Sequence, residues 1–246
     1  MKRQVMRVLT IKNKAEVAEI YISGEIIDDQ DSAWLSFWTD GDTTGYEFPT
    51  KLRAQLDEVK DKPLEIHINS CGGSVFAGVA MANFIANHKA HTTTIIDGIA
   101  ASIASVIFFS ADECKMPSNA YIMVHRPFSR VEGNAEDLRK AAEILDTLQK
   151  GLETTYNRKA REDVMEDDIH AMMNAETWFT GDEAAKTFQI ELIDAVKASN
   201  FAGMQEKLKA LGARKIPPAL NFLSAKKPTA DLQKRLELIE KLGVKG

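Results

Sequence analysis

The sequence predicts an α/β fold. Three observations carry that prediction: short apolar or alternating runs recur along the first two thirds of the chain, helical patterns separate them, and no internal repeat interrupts the series. The order strand, helix, strand, helix, strand makes parallel pairing with right-handed crossovers the default topology. Glu19-Ile-Tyr-Ile-Ser-Gly reads as a strand closed by a glycine turn. The pattern breaks over residues 28–49, where Trp34, Trp38 and Tyr46 sit among Asp, Gly and Thr, and this stretch is expected to be a surface excursion. Pro49-Thr50 then leads into a helix through residue 59, with Thr50 as its N-cap. Leu64-Glu-Ile-His-Ile-Asn alternates apolar and polar side chains as a strand does, and residues 75–88 form a helix with a small, apolar surface. Residues 92–97 are β-branched and strand-like, 102–111 are helical and almost wholly apolar, and 120–124 are a strand again.

The longest predicted helix covers residues 135–158. Along it Leu138, Ala141, Leu145, Leu148, Leu152 and Thr155 recur at alternating spacings of three and four, a narrow seam of the kind one helix offers another. So narrow a seam on so long a helix predicts a projecting arm that packs against another subunit. A last strand is expected over 190–196. Beyond it come a short helix near 204–211, the breaker Pro217-Pro218, and a helix over 230–242 capped by Thr229. The domain boundary falls near residue 198, dividing a body of residues 1–198 from a partly helical tail of residues 199–246.

The chain has 246 residues and a formal charge of −5, so nothing suggests that the whole molecule binds nucleic acid or anionic lipid. The charge is uneven, since from Lys197 onward 11 Lys and Arg face 4 Asp and Glu. Two cysteines, Cys71 and Cys114, are too few for a disulfide scaffold and have no metal-ligand spacing. Met-Lys-Arg-Gln-Val-Met-Arg at the N-terminus is not followed by an apolar segment of signal-peptide length, and the apolar run of residues 99–109 is too short to span a bilayer. A cytoplasmic protein is expected, with no membrane partner and no metal or organic cofactor.

Three stretches carry the chemistry: Ile68-Asn-Ser-Cys-Gly-Gly-Ser-Val75, Asp97-Gly-Ile-Ala-Ala-Ser-Ile103 and Tyr121-Ile-Met-Val-His-Arg-Pro127. The glycine pair follows a strand and precedes a helix, so its backbone can approach a ligand with no side chain in the way. A phosphate loop looks similar, but the chain has no G-x-x-x-x-G-K-[ST] pattern. Ser102 falls in the expected first turn of a helix, where its hydroxyl should point toward unsatisfied amides, and the N–H of Ile103 is a natural oxyanion donor. The second glycine amide, at Gly73, could supply the other. His125 ends an apolar strand, is locked by Arg126-Pro127, and is the best general-base candidate. His67, His88, His91 and His170 have structural or solvated explanations. Nucleophile, base and oxyanion hole are the set that acyl transfer through serine requires.

The Asn-Ser-x-Gly-Gly-Ser-Val turn, the Gly-x-Ala-Ala-Ser segment and the Met-x-His-x-Pro segment together resemble the Clp protease proteolytic subunit family, over residues 19–196 and not over the tail. The finer wording is similar to the phage and prophage branch, which includes head-maturation proteases: Val-Phe-Ala-Gly after the turn, Gly133-Asn-Ala-Glu-Asp-Leu-Arg-Lys opening the long helix, and Glu176-Thr-Trp-Phe-Thr. The resemblance implies a ClpP/crotonase-type fold with repeated β-β-α units, a projecting handle helix, and self-assembly into stacked rings that enclose the active sites. It implies Ser102 as nucleophile, His125 as base, the amides of Gly73 and Ile103 as the oxyanion hole, and protein or peptide chains as substrates. An ATPase unfoldase, or a phage scaffold or capsid protein, is the partner it suggests.

Two departures stand out. Cys71 replaces the usual proline of the turn and brings a thiol near the site, although the serine framework argues against a thiol nucleophile. The family's aspartate falls on Glu176; Asp167, Asp168, a water-linked group or no third member are the alternatives. A crotonase-type acyl-CoA enzyme and an inactive ring-forming scaffold are the competing readings.

Overall fold

In the computed structural model, residues 11–13 and 16–194 are described. The expected boundary near residue 198 and the whole tail lie outside them. The elements run β1 (Ile11–Asn13), β2 (Ala18–Ile26), α1 (Asp29–Trp38), β3 (Tyr46–Glu47), α2 (Pro49–Val59), β4 (Leu64–Gly73), α3 (Val75–Ala86), β5 (Thr92–Ala101), α4 (Ile103–Phe108), β6 (Glu113–Pro117) and β7 (Tyr121–Val124). They continue with α5 (Ala135–Lys159), α6 (Glu166–Ala175), β8 (Thr177–Thr180), α7 (Gly181–Thr187) and β9 (Glu191–Ile193). The α/β class expected from the sequence is the one found.

The sheet runs β1-β2-β4-β5-β6-β9, with β3 on β2, β7 on β5 and β8 on β7. The pairs β2–β4, β4–β5, β5–β6, β5–β7 and β6–β9 are all parallel, whereas β8 returns antiparallel to β7. Alternation in β2 and β4 turns Ile20, Ile22, Ile66 and Ile68 inward, each at most 1% exposed. Leu52 and Leu56 of α2, Met81 and Ile85 of α3, and Ile107 and Phe108 of α4 belong to the same core. Burying each large side chain of this kind contributes about 1.5–3 kcal/mol.

One topological feature positions the site. Strand β5 forks: Thr93 to Ile95 pair with β6, whereas Ile99 to Ala101 pair with β7. The fork brings the end of β7 beside the β5–α4 junction, and the amide of Ser102 donates to the carbonyl of Met123 at 2.9 Å.

Several local expectations are corrected. Residues 28–49 are not irregular throughout, because they contain α1 and β3. Trp34, Phe37 and Trp38 of α1 face solvent, so the helix lacks the core-facing periodicity that marks a helix in sequence. Thr50 is not the N-cap of α2; Phe48 is, with Pro49 at the first helical position. The Thr50 amide and hydroxyl instead donate to Asp29 Oδ1 at 2.9 and 2.7 Å, tying α1 to α2. The apolar helix after Ser102 is six residues long rather than ten.

The first half of α5 stands away from the body, as the seam predicts. It opens with a capping box between Asn134 and Asp137. Leu138 and Ile144 are 47% and 58% exposed, while Leu152 and Tyr156 are buried. The buried stripe therefore shifts at the C-terminal end, from the expected Thr155 to Tyr156.

Candidate active site

The glycine turn at the end of β4 is the floor of the site. Ser70 Oγ donates to the carbonyl of Gly24 at 2.5 Å and accepts from the amide of Gly72 at 3.1 Å, which pins the turn to β2. Gly72 has φ +96, and a Cβ there would lie 2.8 Å from both the Ala101 carbonyl oxygen and Ser102 Cβ. Gly73 has φ +150, and a Cβ there would collide with the Ile26 carbonyl. Only glycine lets the backbone pass between Ile26 on one side and Ser102 on the other. Gly72→Ala should therefore cost about 2 kcal/mol or more through strain and crowding, and should displace Ser102. Denaturation midpoints and peptide turnover of the variant, both reduced, would check this.

Ser102 occupies the N-cap position of α4 with φ 54 and ψ −132, a backbone conformation that side chains other than glycine rarely adopt. Such strain costs of order 1–3 kcal/mol and persists where surrounding contacts hold it. Three contacts do so here. The Ser102 amide is bonded to β7 as described, its carbonyl accepts from Ser105 Oγ at 2.6 Å, and Ser105 Oγ lies 2.8 Å from the Tyr156 hydroxyl. Because Ser105 spends its proton on Ser102, Tyr156 is the donor in that last pair. Tyr156 is fully buried, and desolvation pushes its phenol pKa far up, so it stays a neutral donor. Ser105, Tyr156 and Ser70 were not singled out in the sequence. Their polar groups inside apolar helices and beside the turn were the available signal.

The Ser102 hydroxyl does not cap α4. The expectation that it points toward the helix amides is corrected: the sharp turn swings it out to His125, whose Nε2 lies 2.7 Å from Ser102 Oγ. His125, 8% exposed, sits one residue past the end of β7. Its ring centroid lies 6.3 Å from that of Phe128. The amide of Ile103, first residue of α4, has no carbonyl to bond within its own helix.

Glu176 ends α6 in the left-handed conformation, φ 53 and ψ 78, and is 8% exposed. Its placement follows from strand register. β7 and β8 pair antiparallel through Tyr121 with Thr180, Ile122 with Phe179, Met123 with Trp178 and Val124 with Thr177. One further step of the same register sets His125 opposite Glu176. Both residues line a cleft of about 470 Å³ together with Pro127, Leu145, Met173 and Asn174. The alternative carboxylates lie at the other end of α6, where Asp168 Oδ2 accepts the Met165 amide at 2.9 Å. Asp167 lies beside it, exposed, in that same first turn.

The remaining histidines have partners elsewhere. His67 Nδ1 meets Asp97 Oδ1 at 2.7 Å, and its ring stacks on Tyr21 with centroids 4.8 Å apart. His88 Nε2 meets the Lys62 carbonyl at 2.8 Å, and His170 Nδ1 meets Glu153 Oε1 at 2.7 Å. His91 lies 3.6 Å from Asp112 and from Glu113. Cys71 is buried in the glycine turn.

Comparison with known proteins decides the family. The profile described as Clp protease matches residues 47–200, more than half of the chain. The chain belongs to the Clp protease family. Among the curated proteins, the ATP-dependent Clp protease proteolytic subunit of Bacteroides thetaiotaomicron is 32% identical over 146 residues, 57% of this chain and 66% of that protein. The subunit of the same name from Bacteroides fragilis (strain ATCC 25285) is 31% identical over 146 residues, covering 70% of its length. That of Streptococcus pneumoniae (strain Hungary19A-6) is 31% identical over 148 residues, covering 58% of this chain and 72% of its own. The Clp protease match includes the glycine turn, Ser102, His125 and Glu176. No helix among the described residues is long and apolar enough to cross a membrane.

Proposed function

We propose that this chain is the proteolytic subunit of a compartmental serine endopeptidase. The observation that carries the reading is the 2.7 Å contact between Ser102 Oγ and His125 Nε2, made from a strained turn that packs on a glycine turn. Ser102 Oγ attacks the scissile carbonyl carbon as its proton passes to His125 Nε2. The resulting oxyanion is held by the amides of Gly73 and Ile103, and His125 then delivers its proton to the departing amine. Water, deprotonated by the same imidazole, releases the acyl group and restores Ser102. For Nε2 to accept, the imidazole must carry its other proton on Nδ1, and a carboxylate opposite, at Glu176, is the group suited to hold that tautomer.

Crotonase-type acyl-CoA chemistry would leave the Ser102 and His125 pair without a use, and an inactive scaffold would have no reason to keep Ser102 strained. Labelling with a fluorophosphonate tests the reading. The label should map to Ser102 in the intact chain and be lost in Ser102→Ala, and a folded chain that takes no label would refute it.

Family membership supports a homo-oligomeric chamber that admits extended chains. The relatives' name, ATP-dependent, supports a partner ATPase, since the chain has no phosphate-loop pattern of its own. The wording around residues 75–78, 133–140 and 176–180 supports the phage and prophage branch, with scaffold or capsid proteins as substrates. The catalytic domain then comprises residues 1–198 and the basic tail residues 199–246.

The exposed half of α5 is the contact proposed to join subunits. Leu138→Glu with Ile144→Glu should leave each protomer folded, because both side chains face solvent in the protomer. It should nevertheless dissociate the assembly, because each buried charge costs several kcal/mol. Sedimentation velocity would read this, and an unchanged assembly would remove α5 from the interface.

A further inference from the structure

Tyr156 is the bulkiest fully buried side chain among the described residues, and the proposed mechanism gives its hydroxyl no step. It stands on α5 beside Phe109 and Phe188, whose ring centroids lie 5.8 and 6.4 Å from its own. A phenol among such rings loses its hydration, so its oxygen needs a partner. The partner is Ser105 Oγ of α4, 2.8 Å away and itself fully buried. Ser105 in turn reaches the Ser102 carbonyl twice, through its amide at 2.9 Å and through its hydroxyl at 2.6 Å.

A helical serine that bonds the carbonyl three residues back is common and needs no further purpose. Ser110 does so to Ile107 at 2.7 Å, just past the end of the same helix. Ser105 differs, because a donor from 51 residues away also holds its oxygen. Since Tyr156 donates to that oxygen, the Ser105 proton is left to the Ser102 carbonyl, and the two hydroxyls form a directed chain that ends there.

That carbonyl belongs to the peptide unit whose other end is the Ile103 amide. The unit is planar and trans, so its C=O and N–H point in opposite directions. Holding the carbonyl toward Ser105 therefore turns the amide away from it. The Ile103 nitrogen lies against the glycine turn, 3.2 Å from where a Cβ on Gly72 would stand, and the same turn carries Gly73, the other amide assigned to the oxyanion.

The strain at Ser102 makes this hold necessary. With φ at 54, the well open to a residue with a side chain is the left-handed one, where ψ is about +47. The observed ψ is −132. Rotating the Ser102–Ile103 unit by roughly half a turn would reach that well, relieve Ser102 and swing the Ile103 amide around with it.

We propose that Ser105 and Tyr156 are positioning residues for the oxyanion hole, their hydroxyls latching the Ser102 carbonyl so that the Ile103 amide stays aimed at the reacting oxygen. Both hydroxyls act through the backbone of the nucleophile. The inference rests on the peptidase reading, with Ile103 as an oxyanion donor.

Stability and turnover should separate in the variants. Ser105→Ala leaves the Tyr156 phenol buried without its partner, so it should lower the denaturation midpoint. It should also reduce kcat on a fluorogenic peptide by about 10²-fold, the order expected when a reacting group is misplaced by about 1 Å. Tyr156→Phe should reduce kcat less, because Ser105 keeps its bond to the carbonyl. With Ser105→Ala and Tyr156→Phe together both polar partners are gone, so the midpoint should return close to the parent's while kcat stays about 10²-fold down. KM should hold throughout, because ground-state binding of the peptide makes no use of the oxyanion donors. Inhibition by a peptide boronate, whose tetrahedral adduct on Ser102 mimics the intermediate, should weaken in step with kcat/KM. A double variant with parental kcat, or one in which KM rises and kcat holds, would overturn the inference and leave the peptidase reading intact. So would a double variant that loses stability and turnover together, which would make the pair a packing element and nothing more. A parent that neither hydrolyses the peptide nor takes a fluorophosphonate on Ser102 would end both readings.

Discussion

Ser102→Ala should lower the hydrolysis of peptides by about 10⁶-fold while the protein remains folded and assembled, the loss typical of removing the nucleophile from such a unit. The substitution is unusually clean at this position. Alanine keeps the Cβ that packs on Gly72 and inherits the same φ of 54, so neither the crowding nor the strain changes. The Ser102 amide and carbonyl keep their bonds to Met123 and Ser105, which are made by backbone atoms. Only the oxygen 2.7 Å from His125 is lost. His125→Ala should cost nearly as much, and the double variant little more than either, because the two groups act on one proton. Turnover of a fluorogenic peptide, followed together with sedimentation, is the measurement. Activity within tenfold of the parent in a folded Ser102→Ala protein would end the serine-peptidase reading.

That these two residues could be chosen from the sequence reflects how local their signals are. A glycine pair after an alternating strand, a serine among small residues and a histidine before Arg-Pro each announce themselves within about ten residues. The parallel core strands were legible for the same reason, since Ile20, Ile22, Ile66 and Ile68 alternate with polar neighbours. What escaped depended on partners distant in sequence or on burial in the wrong direction. Helix α1 escaped because its aromatics face outward. Strand β6 carried a readable alternation, with Cys114 and Met116 buried and Glu113 and Lys115 turned away, but its five residues sit among charges and turn residues. Helix α6 places only Ile169 and Met173 in the core, two apolar positions that fix no period.

The backbone of Ser102 was illegible for a different reason. Sequence put it inside a helix, but the fork of β5 and the Ser105–Tyr156 support together impose a turn that no local propensity encodes. Glu176 was reached only through resemblance, because its position opposite His125 depends on the pairing of β7 with a strand some 55 residues later.

Glu176→Gln should reduce turnover by about 10⁴-fold, as the amide replacement of a histidine-orienting carboxylate does elsewhere. Glutamine has the same shape and the same reach, so the left-handed end of α6 and the walls of the cleft should stay as they are. What changes is chemical. An amide carries no charge to stabilise imidazolium, and it can present its NH₂ to Nδ1, favouring the tautomer whose Nε2 cannot accept from Ser102. Stability should move little, and fluorophosphonate labelling of Ser102 should slow in step with turnover. Asp167→Asn and Asp168→Asn are the controls. Both residues lie in the first turn of a ten-residue helix that is about 15 Å long, with Glu176 just past its far end. Asp168→Asn weakens only the bond to the Met165 amide, a cap worth about 1 kcal/mol, and Asp167→Asn touches nothing in the cleft. Near-parental activity in Glu176→Gln with a crippled Asp167→Asn or Asp168→Asn would reassign the third member. Near-parental activity in all three would mean that His125 is held without a carboxylate, leaving the Ser102 and His125 pair to work as a dyad.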